Sequence, residues 1–497
     1  MEQQIEKIDK KHKLITDLCS VNKKVNDVLY GIIQFSRFAS EIIDSIEFQR
    51  LRDMKQLGVA HYSFPNAIHT RFEHSLGTYF QSKELTKRLA DTTSQQDMNE
   101  YLRNIPELTD YIDKNYKEKK CEFDKYLQEL VNIAALCHDL GHGPFSHLFD
   151  DVFINYSELK QHENSRHETR SQVLIKNIIK KSSYLSSRVS DEHIKLIQQI
   201  IDPPKNAKGF IYQIVSNNSN SLDVDKFDYI TRDMKMIGKN SSFDYKSLIA
   251  QAIITNNTIA YPKECQFNIY QLFNMRHIMH REIYNDNNCV SIQLVVCDMM
   301  RKINELLNIV DSIKDMNMFC KFTDSFIMQC PEFLEMTIAK TEQDKNKKLI
   351  MDEIIYLSNR IKSNNSYNLL FSFVLDVDTH FQKEDIFKDD FSQYMDDIII
   401  YKSTAGYVSG NKPNPLDNIF LCDDIKYVDG KAQCIGNTIQ KNKHGISSLI
   451  STKYQEYLTM IYYKKNTDYK TLIKLEEHVK SYVSNYVKQS VIKYISM

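Results

Sequence analysis

Glycine and proline are scarce, 12 and 9 in 497 residues. Both interrupt helices and build turns, so their scarcity argues against a turn-rich β architecture. No run of about 18 apolar residues occurs, which argues against a helical membrane span. The opening, MEQQIEKIDKKHK, has no apolar core of the kind a secretory signal needs. The 10 cysteines are scattered without a C-x-x-C pair, which argues against a disulfide framework or a cysteine-ligated zinc and fits a reducing compartment. An excess of charge is missing too. Lys and Arg number 64 against 65 acids, for a net charge of -1. This gives no electrostatic case for a nucleic-acid or membrane partner. The expected location is intracellular, cytoplasmic or nuclear.

What is present is helical periodicity. The length suits one large core or two to three domains. Segments 36–56, 70–90, 124–140, 168–181, 191–202, 222–235 and 264–311 carry 3.6-residue patterns. Thr70 and Glu73 form a capping-box signature, which puts His74 in the first turn of the helix that follows. After about residue 368 the runs FSFVLDV, DDIIIYKS, DNIFLCD and YLTMIYYKK read as strands, and a helix over about 468–495 closes the chain. The expected organisation is an arm over 1–20, a mainly α domain over 21–365 and a smaller α+β lobe over 366–497.

The most informative stretch is VNIAALCHDLGHGPFSHLFD, residues 131–150. An apolar helix runs into the pair His138–Asp139. Gly141, Gly143 and Pro144 stop the helix there, and His142, His147 and Asp150 follow. Imidazoles and carboxylates on a rigid helix end suit zinc, iron or manganese. Eight of the 15 histidines fall between His61 and His167. His74 in RFEHSLG offers a further ligand, and SLDVDKFDYITRD offers a distant acid. At helical spacing Asp225, Tyr229 and Asp233 share one face there, with Lys226 alongside.

In this order RFEHSLG, LCHDLGHGPFSH and DVDKFDY resemble the HD-domain phosphohydrolases. More narrowly, they resemble the deoxynucleoside triphosphate triphosphohydrolases that pair an HD domain with a sterile-alpha-motif domain. FQRLRDMKQLG at 48–58, FDY at 243–245 and HREIYN at 280–285 extend the resemblance, which covers roughly residues 22–480. No sterile-alpha-motif domain is expected before residue 20. The resemblance implies a mainly α HD phosphohydrolase core. A divalent metal (iron, manganese, zinc or magnesium) would be held by His74, His138, Asp139 and Asp225, with ligand distances of ~2.0–2.2 Å. It implies attack of water at the α-phosphorus and release of tripolyphosphate. His147 is expected as general acid, with Asp150 and His167 orienting it.

The resemblance also assigns phosphate contacts to Arg71, His142, Lys226 and Arg276, as suits arginine forks and lysine point charges. It assigns a sugar pocket to Gln56, Leu57, Tyr229, Asp233 and Tyr284, with a tyrosine excluding a 2′-hydroxyl. A GTP activator site is implied at Lys23, Asp44, Gln49 and Arg52, at a contact between copies in a homo-oligomer, dimer or tetramer. Four departures stand out. Asn285 replaces a glutamine beside Tyr284, and Ser247, Pro262 and Glu264 stand where relatives carry basic residues. Altered base contacts and a weaker second nucleotide site are therefore expected.

Two alternatives stand beside this reading, the first on the same residues and the second with the HD site secondary. One is another HD phosphohydrolase: a nucleoside monophosphatase, a phosphodiesterase or an alarmone hydrolase. The other is a nucleic-acid-binding regulatory module, which the balanced charge and the lack of a base-stacking motif argue against.

Overall fold

The computed structural model describes residues 16–116, 120–337, 344–375, 378, 382–408, 410, 413–436, 439–440 and 453–495. Most of the arm expected over 1–20 lies outside them. The chain opens on an antiparallel hairpin, β1 (Val21–Asp27) and β2 (Gly31–Ser36). The Asp27 side chain accepts the backbone N–H of Leu29 at 2.8 Å and of Tyr30 at 3.1 Å, and Gly31 takes φ +68° to finish the turn. Helix α1 (Arg37–Ile43) follows, capped by Ser36.

The continuous helix expected over 36–56 is broken. Ser45 Oγ accepts the Phe48 N–H at 3.3 Å and restarts the chain as the short turn Ile46–Gln49, then a 3-10 turn over Arg50–Asp53. A serine hydroxyl that offers the backbone a local bond competes with helix continuation.

Five early helices match expectation closely: α2 (Arg71–Thr92), α3 (Lys125–Cys137), α4 (His167–Lys181), α5 (Asp191–Ile201) and α6 (Val224–Met236). Glu73 accepts the Thr70 N–H at 2.8 Å, as its capping-box role requires. Next come β3 (Ile253–Thr255), β4 (Thr258–Pro262), α7 (Gln266–Met279), α8 (Asn287–Leu307), α9 (Asp324–Thr337) and α10 (Lys345–Lys362). The remainder alternates β5 (Asn368–Leu375), β6 (Ile398–Gly406), β7 (Phe420–Cys422), β8 (Asp424–Val428), β9 (Lys431–Ile435), β10 (Ile439–Gln440) and β11 (Gln455–Tyr463), and ends in α11 (Tyr469–Ile495). The protein is mainly α, with small sheets.

Contacts group the chain into two compact units that do not follow a single cut near residue 365. One contains Met1–Met275, Ile303–Cys330 and Pro413–Ile450; the other contains Arg276–Lys302, Pro331–Lys412 and Ser451–Met497. Strand pairing explains the division. In the first unit β7 pairs in parallel with β4, which draws the segment after residue 413 to the early part of the chain. In the second, β11 pairs antiparallel with both β5 and β6. Leu370, Ile398, Ile461, Leu475 and Val479 form the core of that sheet and α11.

One cysteine pair departs from the expectation of free thiols: Cys422 and Cys434 are joined as a disulfide. Their spacing carried no recognisable motif. Among the described residues no helix is long and apolar enough to cross a membrane.

In the first unit α2 packs against both α3 and α6. Gly77 makes the α6 contact possible. A Cβ there would meet Asp228 Oδ1 at 2.0 Å and Arg232 Nη2 at 2.4 Å, both parts of a buried ion pair that cannot swing away. Gly77→Ala is expected to lower the unfolding free energy by at least about 1–3 kcal/mol, the usual cost of overpacking. Urea denaturation followed by circular dichroism measures it, and an unchanged midpoint would show that the helices separate freely.

Candidate active site

Helix α3 is buried along nearly its whole length and delivers His138 and Asp139 at its C-terminal end. The turn that follows must lie close to α4. A Cβ on Gly141 would meet the His167 carbonyl oxygen at 2.2 Å, so only glycine fits. Opposite, α2 presents His74 and α6 presents Asp225. His74 Nε2 lies 3.2 Å from His138 Nε2 and 3.2 Å from Asp225 Oδ1. His138 Nε2 lies 3.3 Å from Asp225 Oδ1 and 3.5 Å from Asp139 Oδ1, and Asp139 Oδ2 lies 3.5 Å from His74 Nε2. Donor atoms of His74, His138 and Asp225, from three separate helices, thus lie within 4.8 Å of one another, and Asp139 adjoins them through its two oxygens.

The chemistry of this set fits a divalent cation. Two imidazole nitrogens and two carboxylates converge, and their charge is not balanced within the set. His74 shows the surplus of negative charge. Burial disfavours its charged form, yet hydrogen bonds to Asp225 and Asp228 push it up to about 10. His138 is raised for similar reasons, burial being outweighed by Asp139 and Asp225. Burial likewise opposes ionisation of Asp225, but the two histidines hold its carboxyl well below the usual range.

A second group adjoins the first through Asp139. His142 Nε2 lies 3.3 Å from Asp139 Oδ1, and its ring stacks on His167 at 3.9 Å between centroids. Asp150 accepts from His167 Nδ1 at 2.9 Å and from the His167 backbone N–H at 3.1 Å. The two stacked rings are driven apart in charge. Burial, Arg71 and His167 hold His142 neutral, whereas Asp150 overcomes burial and raises His167.

Asp150 therefore grips His167 and does not touch His147. His147 is 67% exposed, has Asp151 Oδ2 at 3.6 Å from its Nδ1, and stands edge-on to His142 and His167 at 5.1 and 5.7 Å. It follows two residues in the left-handed region, Phe145 (φ 58°) and Ser146 (φ 61°). Such backbone is unfavourable for side-chain-bearing residues and needs support.

Cationic and pocket residues surround this cluster. Arg71 is buried, donates from Nε to Ser146 Oγ at 2.8 Å and pairs with Asp139. Lys226 pairs with Asp223 at 3.0 Å, and Asp225 and Tyr229 also raise its pKa against burial. The Tyr229 ring is edge-on to His74 at 6.4 Å. Asp233 accepts from or pairs with His69 Nε2 at 2.8 Å, and the His69 carbonyl accepts the Gln56 N–H at 2.9 Å. Leu57 follows, half-buried. Gln56 Oε1, His69 Nδ1 and His142 Nδ1 are buried without a hydrogen-bond partner among the described residues. Orphaned atoms of this kind mark places where a ligand or water completes the site.

Arg276 and Tyr284 belong to the second unit. There Arg276 donates to the Gly406 carbonyl and Tyr284 is edge-on to His280 at 4.9 Å. Asn285 is buried and donates to the His280 carbonyl at 2.7 Å, so it closes its own turn. The surface cluster of Lys23, Asp44, Gln49 and Arg52 is pairwise. Lys23 joins Asp44, and Arg52 Nε donates to Gln49 Oε1 at 2.8 Å while its guanidinium lies 3.5 Å from the centroid of Phe72. Ser247 accepts from Gln251, Pro262 ends β4 and Glu264 is exposed.

Four important residues escaped the sequence reading. Asp228 contacts His74 Nδ1 at 2.7 Å, and Arg232 holds Asp228 at 2.9 Å. Their i,i+4 spacing inside DVDKFDYITR is the sequence signal for this pair, beside the face of Asp225, Tyr229 and Asp233. Arg170 is fully buried, donates to the Gly141 carbonyl at 2.7 Å and pairs with Asp150; it lies one turn after His167. Asp324 accepts the backbone N–H of Phe145 at 2.6 Å and of Lys55 at 2.9 Å and so secures the strained loop. Nothing near Asp324 in sequence announces that role.

The HD domain profile matches residues 71–206, the span that carries three of the four candidate ligands. An HD-domain-containing protein of Acanthamoeba polyphaga mimivirus is 37% identical over 413 residues, covering 80% of this chain and 84% of that protein. A deoxynucleoside triphosphate triphosphohydrolase SAMHD1 homolog of Dictyostelium discoideum is 31% identical over 349 residues, covering 69% and 62% respectively. The deoxynucleoside triphosphate triphosphohydrolase SAMHD1 of Bos taurus is 28% identical over 513 residues, covering 94% and 79%. With the His138–Asp139 pair in place and relatives matched along most of its length, this chain belongs to the HD-domain family.

Proposed function

We propose that this chain is a metal-dependent hydrolase that cleaves deoxynucleoside triphosphates to deoxynucleoside and tripolyphosphate. The observation that carries this reading is the convergence of His74, His138 and Asp225, adjoined by Asp139, beside Arg71, His142, His167 and Lys226. It joins a metal-type donor set to a concentration of cations suited to a polyphosphate. The named activity of the SAMHD1 relatives supports the substrate class. A divalent ion held by the four donors would supply Lewis acidity toward the phosphate, and nitrogen–oxygen ligands suit iron, manganese, zinc or magnesium.

The chain's own residues divide the remaining work. Arg71 and Lys226 bind phosphate oxygens. Neutral His142 presents a buried ring nitrogen to the same ligand, and His167, fixed by Asp150, which also raises its pKa, adds a directed donor. Water attacks the α-phosphorus, the bond to the nucleoside 5′-oxygen breaks, and that oxygen needs a proton. His147 is the exposed imidazole beside the pair and supplies it. Gln56, His69 and Asp233 bind sugar hydroxyls, with Leu57 and Tyr229 shaping the pocket. GTP acts as activator at Lys23, Asp44, Gln49 and Arg52 and drives assembly into a dimer or tetramer.

Incubation with each of the four dNTPs, with and without GTP, followed by anion exchange tests the reaction directly. Tripolyphosphate is the expected product, and pyrophosphate or orthophosphate in its place would refute this bond cleavage. His147→Ala should keep its metal and lose turnover by about 10²–10⁴. Loss of metal in that variant would make His147 a ligand instead.

Metal retention should depend on pH in a defined direction. A protonated imidazole cannot ligate, and the apo cluster raises His74 to about 10 and His138 above its ordinary value. Protons therefore compete with the ion, more so as pH falls. Dialysis at pH 5.5 should strip metal that is retained at pH 8, as read by atomic absorption. Equal content at both would exclude these histidines as ligands.

GTP should raise both particle mass in light scattering and dNTP turnover, and Arg52→Ala should blunt both. A ligand selecting the assembled form must shift association by its differential affinity. A protein fully assembled and fully active without GTP would remove the switch and leave the hydrolase reading intact.

A further inference from the structure

The β1–β2 turn reaches the metal cluster through an unbroken chain of hydrogen bonds. Asp228 is fully buried, and its Oδ2 lies 2.7 Å from His74 Nδ1, while Asp225 of the same helix faces the other ring nitrogen. Helix α6 thus holds one imidazole at both nitrogens. In the neutral ring that binds an ion, a carboxylate at Nδ1 selects the tautomer that carries its proton there, which turns the Nε2 lone pair to the donor cluster.

Asp228 is itself fixed on two sides. Its Oδ1 accepts the Tyr30 hydroxyl at 2.6 Å and Arg232 Nη2 at 3.0 Å, and its Oδ2 accepts Arg232 Nε at 2.9 Å. The remaining arm of Arg232 reaches Asp27 Oδ2 at 2.9 Å. The other Asp27 oxygen orders the turn by accepting the Leu29 and Tyr30 N–H groups. Gln81, two turns along α2 from His74, donates to the Tyr30 oxygen at 2.6 Å. Gly77 leaves room for the whole assembly against α2. Arg232 is 1% exposed and the Asp27 side chain 3%, so this ion pair is shielded from solvent.

We propose that the turn of the β1–β2 hairpin is part of the metal centre: Tyr30 and Asp27, acting through Asp228 and Arg232, are positioning residues that hold His74 ready to bind the ion. The proposal rests on His74 being a metal ligand. It gives the hairpin a task beyond closing the fold. Strand β1 carries Lys23 four residues before Asp27, so a ligand that grips Lys23 acts on the same ribbon that fixes His74.

The test uses the full-length protein stripped with chelator and titrated with Mn²⁺ against a chelating dye, with folding checked by circular dichroism. Asp228→Asn should weaken Mn²⁺ binding about 10–100-fold, the usual effect of losing such an outer partner. Tyr30→Phe and Asp27→Asn should weaken it less, in the same direction. Lys87→Gln, on an exposed part of α2, should leave it alone. If the network were only a staple of the fold, the melting temperature of the apo-protein would fall while Mn²⁺ affinity stayed at the wild-type value, and the proposal would be overturned.

Should Asp228→Asn fail to fold, Tyr30→Phe decides, because it removes one hydroxyl and leaves no charge uncompensated. Wild-type Mn²⁺ affinity in folded Tyr30→Phe overturns the proposal. His74→Ala separates the two levels of the argument. Undiminished binding in that variant refutes the metal reading itself, whereas lost binding there with wild-type affinity in Tyr30→Phe and Asp228→Asn refutes only the role of the hairpin.

Discussion

Buried negative charge is the constraint around which the first unit is built. Asp139, Asp150 and Asp228 are buried within the same group of helices, and Asp225 lies half-buried beside them. A buried carboxylate is strongly unfavourable unless paired. Three of the four have a buried arginine: Arg71 with Asp139, Arg170 with Asp150, and Arg232 with Asp228. Breaking one such pair by removing a single partner costs about 3–5 kcal/mol. Asp225 has no arginine and faces two imidazoles, with Lys226 nearby. The place where compensation is weakest is the place where the donor atoms converge, and that is where a cation would be held most strongly.

The arginines also organise backbone. Arg170 binds the Gly141 carbonyl and the carbonyls of Asn164 and Ser165 at 2.9 Å, so the turn after His138 and the loop before His167 are fixed by one guanidinium. Arg50 reaches the His142 carbonyl and lies over Phe319 at 4.7 Å. These side chains are wholly enclosed, where a planar fork can satisfy several carbonyls at once. The histidine-rich loop is thus rigid although it has little regular structure, and the left-handed pair Phe145–Ser146 persists because Asp324 and Arg71 hold both sides of it.

Much of this was legible in the chain. Helices α2 to α6 could be read from periodicity because their apolar faces repeat at 3.6 residues and their ends carry Thr70, Asp124, Ser190 and Asp223 as caps. The candidate ligands were legible because His138 and Asp139 are adjacent, and the resemblance singled out His74 and Asp225. The hairpin β1–β2 was not read, since its strands are short and half polar, and the helical pattern over 36–56 hid the serine that breaks it. The disulfide joins cysteines whose proximity depends on β7 and β9, which spacing does not reveal.

By itself the sequence determined helix positions, the residue types able to bind metal and phosphate, and the balanced charge, because these depend on local order and composition. Only the tertiary structure decided which partner each group has. Asp150 was expected to orient His147 and instead holds His167, because the start of α4 brings the His167 ring and backbone to its carboxylate. Asp228 was passed over and proved to hold His74, because Gly77 lets α6 approach α2 closely enough for the bond to form. Periodicity states which way a side chain points along its own helix. Which imidazole a carboxylate meets is set by the distance between helices, and that depends on packing across the whole core.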